Sequence, residues 1–367
     1  MADQVTAAEL TAAERDHQRV AAIDCGTNSL RLLVADISPG TGQLADLHRR
    51  MEIVRLGQGV DATGKLAPAA LARTFAVLAE YAKTIADSGA RSVRMVATSA
   101  TRDASNAAEF AAGVRRILGI DPEVVSGAQE AALSFSGATA ELTTFASSEG
   151  SPEPPFLVVD IGGGSTEFVL GGSAEAEQEL SAISVDIGCV RLTERHLRDD
   201  PPTPAQIDAA SADIDAALAT VSGAMDAAAA RTLVGLAGSV TTVTAIALGL
   251  STYDPDRTHH AKISARQVRD VTASLLARNR AERAANPVIH PGRVDVIGAG
   301  ALILDRIMSR FGFAEMVASE HDILDGIAWS MVRGRDGAGL GARPPGTPDG
   351  AGLGARPPGT PDGAPGR

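Results

Sequence analysis

One pattern occurs twice in this chain and limits its fold more than any other feature. An apolar stretch ends in an acidic residue, a short turn of glycine and hydroxyl residues follows, and a second apolar stretch begins. The first copy is Asp24–Ser29 (DCGTNS) and the second is Asp160–Glu167 (DIGGGSTE), 136 positions further on. Small turn residues let consecutive backbone N–H groups converge on an anion, and the Asp can hold a divalent cation beside it. The repeat therefore predicts two hairpins that face each other across a domain boundary and bind one phosphate chain.

Other readings of the two turns are possible from the residues alone. Neither copy contains the Gly-Lys-Ser/Thr of a Walker A loop or the GxGxxG dinucleotide fingerprint. Tight hairpins without a ligand would have the same spacing. The choice between the two readings therefore depends on the rest of the chain.

Around the two turns, apolar stretches of strand length alternate with amphipathic stretches of helix length. This alternation predicts an α/β fold in which some strands pair in parallel. The segment 232–253 contains no charged residue, but its glycines and hydroxyl residues indicate a buried strand, turn and helix rather than a membrane span. We predict strands at 19–24, 30–37, 52–56, 92–97, 123–125, 156–159 and 167–170, and helices at 68–88, 106–118, 128–140, 204–227, 265–278, 294–311 and 323–332.

The length of 367 residues and a hydrophobic content of 44% allow two domains of ordinary size. We predict a disordered or frayed leader at 1–19, domains at 20–143 and 156–332, and a disordered tail at 333–367. The boundary between the domains falls near the Ser-, Glu- and Pro-rich segment Thr144–Pro155. In the tail the 13 residues GAGLGARPPGTPD occur twice, and this Gly/Pro composition cannot form a core.

Charge and cysteine content exclude several classes of protein. The formal net charge of −12 argues against a nucleic-acid-binding surface, because phosphate backbones attract basic proteins. Two cysteines are too few for a disulfide framework, and no CxxC motif indicates zinc. The first residues contain no apolar stretch typical of a signal peptide, so we expect a cytoplasmic protein without a membrane segment.

Two further segments carry side chains suited to phosphate chemistry. In Ala97–Ala104 (ATSATRDA), Ser99 and Arg102 follow a predicted strand, and an arginine there can bind phosphate with two hydrogen bonds. A helix cap with a solvated arginine is the alternative. In Ser126–Ala131 (SGAQEA), Glu130 lies in the first turn of a helix, where a carboxylate can act as a general base on water. An ordinary glutamate favoured by the helix dipole is the alternative there.

Seven blocks of the sequence together resemble the exopolyphosphatase / guanosine pentaphosphate phosphohydrolase (Ppx/GppA) family in its short, two-domain form. The resemblance extends over about Val20–Val332. It implies an α/β fold of two ribonuclease-H-like domains of the actin / sugar kinase / heat-shock chaperone superfamily, with the active site in the cleft between them. In chain order the blocks are DCGTNSLRLLVAD, VATSATRDASN, SGAQEA, DIGGGSTEFVL, IGCVRLTE, GLAGSVTT and SEHDILDGIA.

The resemblance also implies roles for individual residues. Glu130 matches the catalytic base, and Asp160 and Glu167 match acidic positions associated with catalysis and with Mg²⁺ (or Mn²⁺); Asp24 is a further expected metal ligand. The family commonly has two adjacent Glu where this chain has Gln129 and Glu130. The expected phosphate-binding residues are Asp24, Gly26, Thr27, Asn28, Ser29, Ser99, Arg102, Gly162, Gly163, Gly164, Ser165, Thr166, Gly238 and Ser239. Basic residues that would extend the phosphate track, or serve as ordinary salt-bridged arginines, are Arg31, Arg191 and Arg293.

The function implied is that of an exopolyphosphatase, in which Glu130 activates water for Mg²⁺-assisted attack on the terminal phosphate of inorganic polyphosphate. Three alternatives stay open: hydrolysis of guanosine pentaphosphate, transfer of phosphate to ADP, and a non-catalytic sensor of polyphosphate or alarmone. A homodimer is plausible for the family. We give little weight to metal sites at His321-Asp322 or His259-His260 and to Cys25 as a nucleophile.

Overall fold

A computed structural model describes residues 17–142, 152–172 and 180–333 of the chain. Nearly all of the predicted leader, most of the predicted boundary segment and nearly all of the tail lie outside the described residues. The first strand begins at Gln18, so the last two residues assigned to the leader belong to a sheet.

The first sheet contains five strands in the order β3-β2-β1-β4-β5. Strands β1, β2 and β3 pair antiparallel, whereas β4 is parallel to β1 and β5 is parallel to β4. We predicted the third strand at 52–56, and that prediction is wrong: β3 is mostly exposed, and its polar sequence QLADLHRRMEI lacks the apolar run typical of a buried strand. The bounds are β1 Gln18–Cys25, β2 Ser29–Ser38, β3 Gln43–Ile53, β4 Ser92–Ala97 and β5 Glu123–Val124.

The second sheet repeats this arrangement and adds one strand, in the order β10-β11-β9-β6-β7-β8. Strands β6, β7 and β8 pair antiparallel, β9 is parallel to β6, and β11 is parallel to β9. Both sheets therefore have the ribonuclease-H-like order, and the predicted fold class is confirmed. The bounds are β6 Phe156–Ile161, β7 Thr166–Gly171, β8 Ser181–Val185, β9 Thr232–Leu236, β10 Lys262–Ser264 and β11 Glu315–Ala318.

Helices cover the faces of both sheets. The helix predicted at 68–88 has those bounds, and the other six predicted helices lie within three residues of the observed ones. The segment 232–253 forms a strand followed by a helix, and none of the helices among the described residues is long and apolar enough to cross a membrane. The helices are α1 Val60–Thr63, α2 Pro68–Ser88, α3 Ser99–Asp103, α4 Ala107–Leu118, α5 Gly127–Leu142, α6 Cys189–Arg195, α7 Pro204–Ala224, α8 Ala237–Ala247, α9 Pro255–Thr258, α10 Ala265–Ala277, α11 Arg280–Ala284, α12 Ile297–Phe311 and α13 Ile323–Arg333.

Two helices are exchanged between the halves of the chain. Helix α5 comes from the first half, but its Phe135 packs in a core cluster with Phe156 of the second sheet. Helix α13 comes from the end of the chain, but its Ile327 packs in a core cluster with Val20 of the first sheet. The predicted domain boundaries stay a prediction. They divide the chain once, between 143 and 156, and so did not anticipate that each half supplies a helix to the other half's sheet.

The two exchanged helices cross at glycines. A Cβ atom on Gly137 of α5 would lie 1.9 Å from the backbone oxygen of Asp322, and a Cβ atom on Gly326 of α13 would lie 2.0 Å from that of Leu133. Since backbone atoms cannot rotate away as side chains do, only glycine allows this approach.

We therefore expect Gly137→Ala to lower the free energy of unfolding by about 1–3 kcal/mol, because the added methyl group forces the two helices apart. Urea denaturation measures this change. Gly223→Ala is the matched control: it lies in α7 with open space around it, so the same change should raise stability by up to about 1 kcal/mol. A Gly137→Ala protein as stable as the wild type would contradict the close crossing.

Candidate active site

The two acidic turns of the sequence have the same backbone form. Each connects the first and second strands of its sheet. In the first turn the N–H of Gly26 donates to the carbonyl of Ser29 at 3.0 Å, and in the second the N–H of Gly162 donates to the carbonyl of Ser165 at 3.0 Å. The repeated sequence pattern is therefore a repeated structure.

The two turns also touch each other. A Cβ atom on Gly163 would lie 2.9 Å from Cβ of Thr27, and one on Gly164 would lie 2.7 Å from the hydroxyl of Ser99. The hydroxyls of Thr27 and Ser99 are themselves hydrogen bonded at 2.9 Å. Any larger side chain in the second turn would hold it away from the first, so the consecutive glycines are required for this contact.

A cleft opens beside this contact, and most of the predicted site residues line it. Four of them lie behind its wall. Gly164 packs against Thr27 and Ser99, and the buried Thr166 donates its hydroxyl to the carbonyl of Ile187 at 2.6 Å. Arg102 donates to Glu130, Glu167 accepts from Ser184, and neither side chain is part of the lining. The predicted residues in the lining are Asp24, Gly26, Thr27, Asn28, Ser29, Ser99, Glu130, Asp160, Gly162, Gly163, Ser165, Gly238 and Ser239.

Asp24 is held by a guanidinium at the cleft wall. Its Oδ2 accepts from Nε of Arg31 at 2.9 Å and from Nη2 at 2.7 Å, whereas its buried Oδ1 has no hydrogen-bond partner among the described residues. Burial raises the pKa of Asp24, and Arg31 opposes that rise. Arg31 also pairs with Asp322, the residue of the His-Asp dipeptide that we set aside as a metal site. Although burial lowers the pKa of Arg31, Asp322 and Asp24 together keep it above its usual value.

Glu130 lies in the first turn of α5 and is 8% exposed. Its Oε2 accepts from Nη1 of Arg102 at 3.2 Å, and the same nitrogen donates to the carbonyl of Val125 at 2.9 Å. Burial and the neighbouring Glu167 raise the pKa of Glu130 well above its usual value, and Arg102 lowers it. A carboxylate with such a raised pKa is a stronger base toward water than an exposed one.

Asp160 is buried near the end of β6, and Glu167 is buried near the start of β7. Oδ2 of Asp160 accepts from the hydroxyl of Ser134 at 2.8 Å, and burial with the nearby Asp322 raises the pKa of Asp160 to about 6. Oε1 of Glu167 accepts from the hydroxyl of Ser184 at 2.7 Å, and burial with Asp160 raises the pKa of Glu167 to about 8. The two serines were missed by the sequence analysis, because neither belongs to a motif.

The acidic groups fit a metal ion that binds together with substrate phosphates better than one that is held by protein ligands alone. No group of three His, Cys, Asp or Glu residues within the described part of the chain could hold a metal by itself. Mg²⁺ usually keeps several waters and binds through one or two carboxylates together with substrate phosphates. Asp24 and Asp160 both line the cleft, and Oδ1 of Asp24 is buried without a hydrogen-bond partner among the described residues. This donor set therefore fits an Mg²⁺ ion that binds together with a phosphate chain.

The three extra arginines considered from the sequence occupy different positions. Arg31 and Arg293 line the cleft, and no carboxylate among the described residues pairs with Arg293, which packs over Gly238. Burial lowers the pKa of Arg293. Arg191 does not line the cleft; it forms ion pairs elsewhere. Gln129, at the position where the family commonly has a second Glu, is exposed, and its side chain accepts from the N–H of Ser126 at 2.9 Å.

Two ribonuclease-H-like sheets, with a pair of glycine turns and buried carboxylates at one cleft, define a protein of the actin-like superfamily. Residues 33–334 match the Ppx/GppA phosphatase family, and the chain belongs to that family. The resemblance found from the sequence motifs is thereby confirmed.

Similar proteins cover most of this chain. It is 46% identical over 324 residues to Exopolyphosphatase 2 of Mycobacterium tuberculosis, which covers 85% of this chain and 98% of that protein. A crystal structure of an exopolyphosphatase-like protein has a TM-score of 0.80 and 42% identity, over 86% of this chain and 99% of that one. The Ppx/GppA family member of Aquifex aeolicus has a TM-score of 0.71 and 31% identity, over 88% of this chain and 100% of that one.

The raised pKa of Glu167 leads to a prediction about stability. Between its ordinary value of 4.5 and about 8, the folded state holds a proton that the unfolded state has lost, so this group makes the protein less stable as the pH rises through that window. Glu167→Gln removes the titration. We expect urea denaturation without added Mg²⁺ to show the variant gaining stability relative to the wild type from pH 5 to pH 9. A difference independent of pH would contradict the raised pKa.

Proposed function

We propose that this chain is a metal-dependent exopolyphosphatase that removes the terminal phosphate of inorganic polyphosphate. The observation that carries the proposal is the contact of two glycine turns beside a cleft lined by the carboxylates of Asp24, Glu130 and Asp160. Such turns bind anions through backbone N–H groups, and buried carboxylates supply a base and metal ligands. Membership of the Ppx/GppA phosphatase family and the likeness to a protein named Exopolyphosphatase 2 support the same activity.

In this proposal the end of the phosphate chain lies between the two turns. Glu130 accepts a proton from a water molecule, whose oxygen forms a bond to the terminal phosphorus. The bond from that phosphorus to the bridging oxygen breaks, and the bridging oxygen leaves with the shortened chain. The products are orthophosphate and a polyphosphate with one unit fewer.

Charge neutralisation is the second part of the mechanism. When bound by Asp24 and Asp160, Mg²⁺ would neutralise charge on the phosphate oxygens. The guanidinium of Arg293 lines the same cleft and is suited to phosphates further along the chain. The three side-chain nitrogens of Arg31 already bond Asp24 and Asp322, so Arg31 fixes Asp24 at the cleft wall. In phosphoryl transfer, positioning and electrostatic stabilisation supply most of the acceleration. Arg102 holds the Glu130 carboxylate in place, which fixes the direction from which the water attacks.

Glu130→Gln tests the role of the base. We expect kcat to fall by at least about 100-fold, because the amide cannot accept the proton, while polyphosphate still binds. Phosphate release from polyphosphates of several lengths, with and without Mg²⁺, measures the rate, and calorimetry measures binding. Gln129→Glu is the matched control: the neighbouring side chain is exposed and caps the helix, so its activity should equal that of the wild type. A fully active Glu130→Gln protein would remove Glu130 from the mechanism.

A second candidate substrate is guanosine pentaphosphate, and one observation favours it. A second cavity adjoins the cleft and shares Arg31, Gly238 and Arg293 with it. A nucleoside there would leave its phosphates pointing into the cleft. The apolar and aromatic side chains of this cavity are Met51, Ala237, Tyr253, Pro255, Pro287, Val288, Ile289, Pro291 and Leu324.

Tyr253→Ala distinguishes the two substrates. The Tyr253 hydroxyl donates to Glu320 at 2.6 Å, and its ring forms part of the cavity wall. If a nucleoside packs there, kcat/KM for guanosine pentaphosphate should fall by about 3- to 10-fold while that for polyphosphate is unchanged. An unchanged kcat/KM for guanosine pentaphosphate in Tyr253→Ala would argue against a nucleoside site.

The remaining two alternatives have their own outcomes. Formation of ATP from added ADP would indicate phosphate transfer, and tight binding without any phosphate release would indicate a sensor.

A further inference from the structure

The side chain of Arg191 contacts three separate elements at once. Arg191 lies in α6, and its Nε donates to the carbonyl of Gly164 at 2.6 Å. Its Nη1 pairs with Asp61 of α1 at 2.6 Å, and its Nη2 pairs with Asp103 at the end of α3 at 2.6 Å. The side chain is 11% exposed, and all three of its nitrogens are engaged. Arg191 is therefore not available to extend the phosphate track, and of the two readings from the sequence the salt-bridged arginine applies.

Two of these contacts connect to the place where the glycine turns meet. Gly164 belongs to the second turn. Asp103 ends the five-residue helix that begins at Ser99, whose hydroxyl bonds Thr27 of the first turn. One guanidinium thus bonds the second turn directly and the first turn through a single short helix.

The third contact leads to the same turn from another side. Asp61 lies in the short helix α1, just after Gly57, whose N–H donates to the carbonyl of Thr27 at 2.8 Å. Nε of Arg195 also pairs with Asp61 at 2.6 Å, and the hydrogen bond from Arg195 is the main cause of a lowered pKa for Asp61. Asp61 is therefore ionised at neutral pH and available to both arginines.

Helix α3, which ends at Asp103, also carries the hydrogen-bond partner of the proposed base. Arg102 precedes Asp103 directly and donates to Glu130 at 3.2 Å. A displacement of α3 would therefore move Arg102 away from Glu130 and Ser99 away from Thr27 together. The planar fork of an arginine can satisfy three acceptors in fixed directions, which the single ammonium of a lysine cannot do.

From this geometry we propose that Arg191 is a positioning residue that holds the two glycine turns in contact and fixes Glu130 relative to the end of the phosphate chain. The inference rests on the proposed hydrolase function for its kinetic consequence. It does not rest on that function for its structural consequence, which is the fixed contact between the turns.

The kinetic test compares Arg191→Lys and Arg191→Ala with the wild type. Misplacement of reacting groups by about 1 Å can cost about 100-fold in rate, so we expect that loss for alanine and about tenfold for lysine. The loss should be in kcat rather than in KM, after rates are corrected for the folded fraction. Arg306→Ala is the matched control, because it removes an ion pair with Asp215 between α7 and α12, away from the cleft, and should leave kcat unchanged.

Hydrogen–deuterium exchange gives a measurement that needs no activity. In Arg191→Ala, amide exchange should increase in the three segments that Arg191 connects, 57–61, 99–103 and 162–166, and stay unchanged in helices α7 and α12, which are remote from the cleft. In a double-mutant cycle, Arg191→Gln and Asp103→Asn should together cost less in kcat than the product of their separate effects, because they remove one interaction.

Unchanged exchange in all three segments together with a normal kcat in Arg191→Ala would overturn the proposal. A loss of activity that only follows the fraction of unfolded protein would also overturn it, since that result describes general stability. If the wild type hydrolyses no phosphate substrate, the proposed function fails, and the exchange experiment still decides whether Arg191 holds the turns together.

Discussion

The excess of buried negative charge at the cleft is the constraint on which the rest of the site depends. Five carboxylates are buried in or directly behind the cleft, and Arg31 and Arg102 are the only cations within the described part of the chain that form ion pairs with them. A buried charge without a partner costs several kcal/mol, so such groups take up protons or require a cation. The raised pKa values of Glu130 and Glu167 follow from this excess. The five residues are Asp24, Glu130, Asp160, Glu167 and Asp322.

An acidic cleft is suited to an anionic substrate only if positive charge enters with it or lies close by. The glycine turns offer backbone N–H groups, Arg293 lacks a carboxylate partner among the described residues, and the free oxygen of Asp24 is suited to Mg²⁺. In the proposed function the phosphate chain and the cation would each make the other's binding favourable. We therefore expect the acidic cluster to lower the stability of the protein without substrate and to favour a complex that brings a cation, as is typical of catalytic sites.

The parts of the structure that could be predicted from the sequence are those fixed by neighbouring residues. The acidic turns, the amphipathic helices and most strands are local patterns, whereas β3 has no apolar run and was misplaced. Pairing between distant residues could not be predicted: Arg31 contacts Asp322 across 291 positions, and Arg191 contacts Asp61 across 130. No motif links such pairs, so the sequence offered Asp322 no partner once a metal site there was set aside, and it left Arg191 either a phosphate contact or a salt-bridged arginine. Only the folded chain shows that Arg31 contacts Asp322 and that Arg191 contacts Asp61.

The position of Gln129 also bears on the choice between enzyme and sensor. The absence of a second glutamate beside Glu130 was the one sequence feature that favoured a non-catalytic protein. The side chain of Gln129 is exposed and accepts hydrogen bonds from the N–H and the hydroxyl of Ser126. It therefore caps the N-terminus of α5 and is not part of the cleft lining. A glutamate could accept the same bonds at this position. The side chain of Gln129 therefore lies outside the cleft lining that contains Glu130, and the choice between enzyme and sensor depends on measured phosphate release.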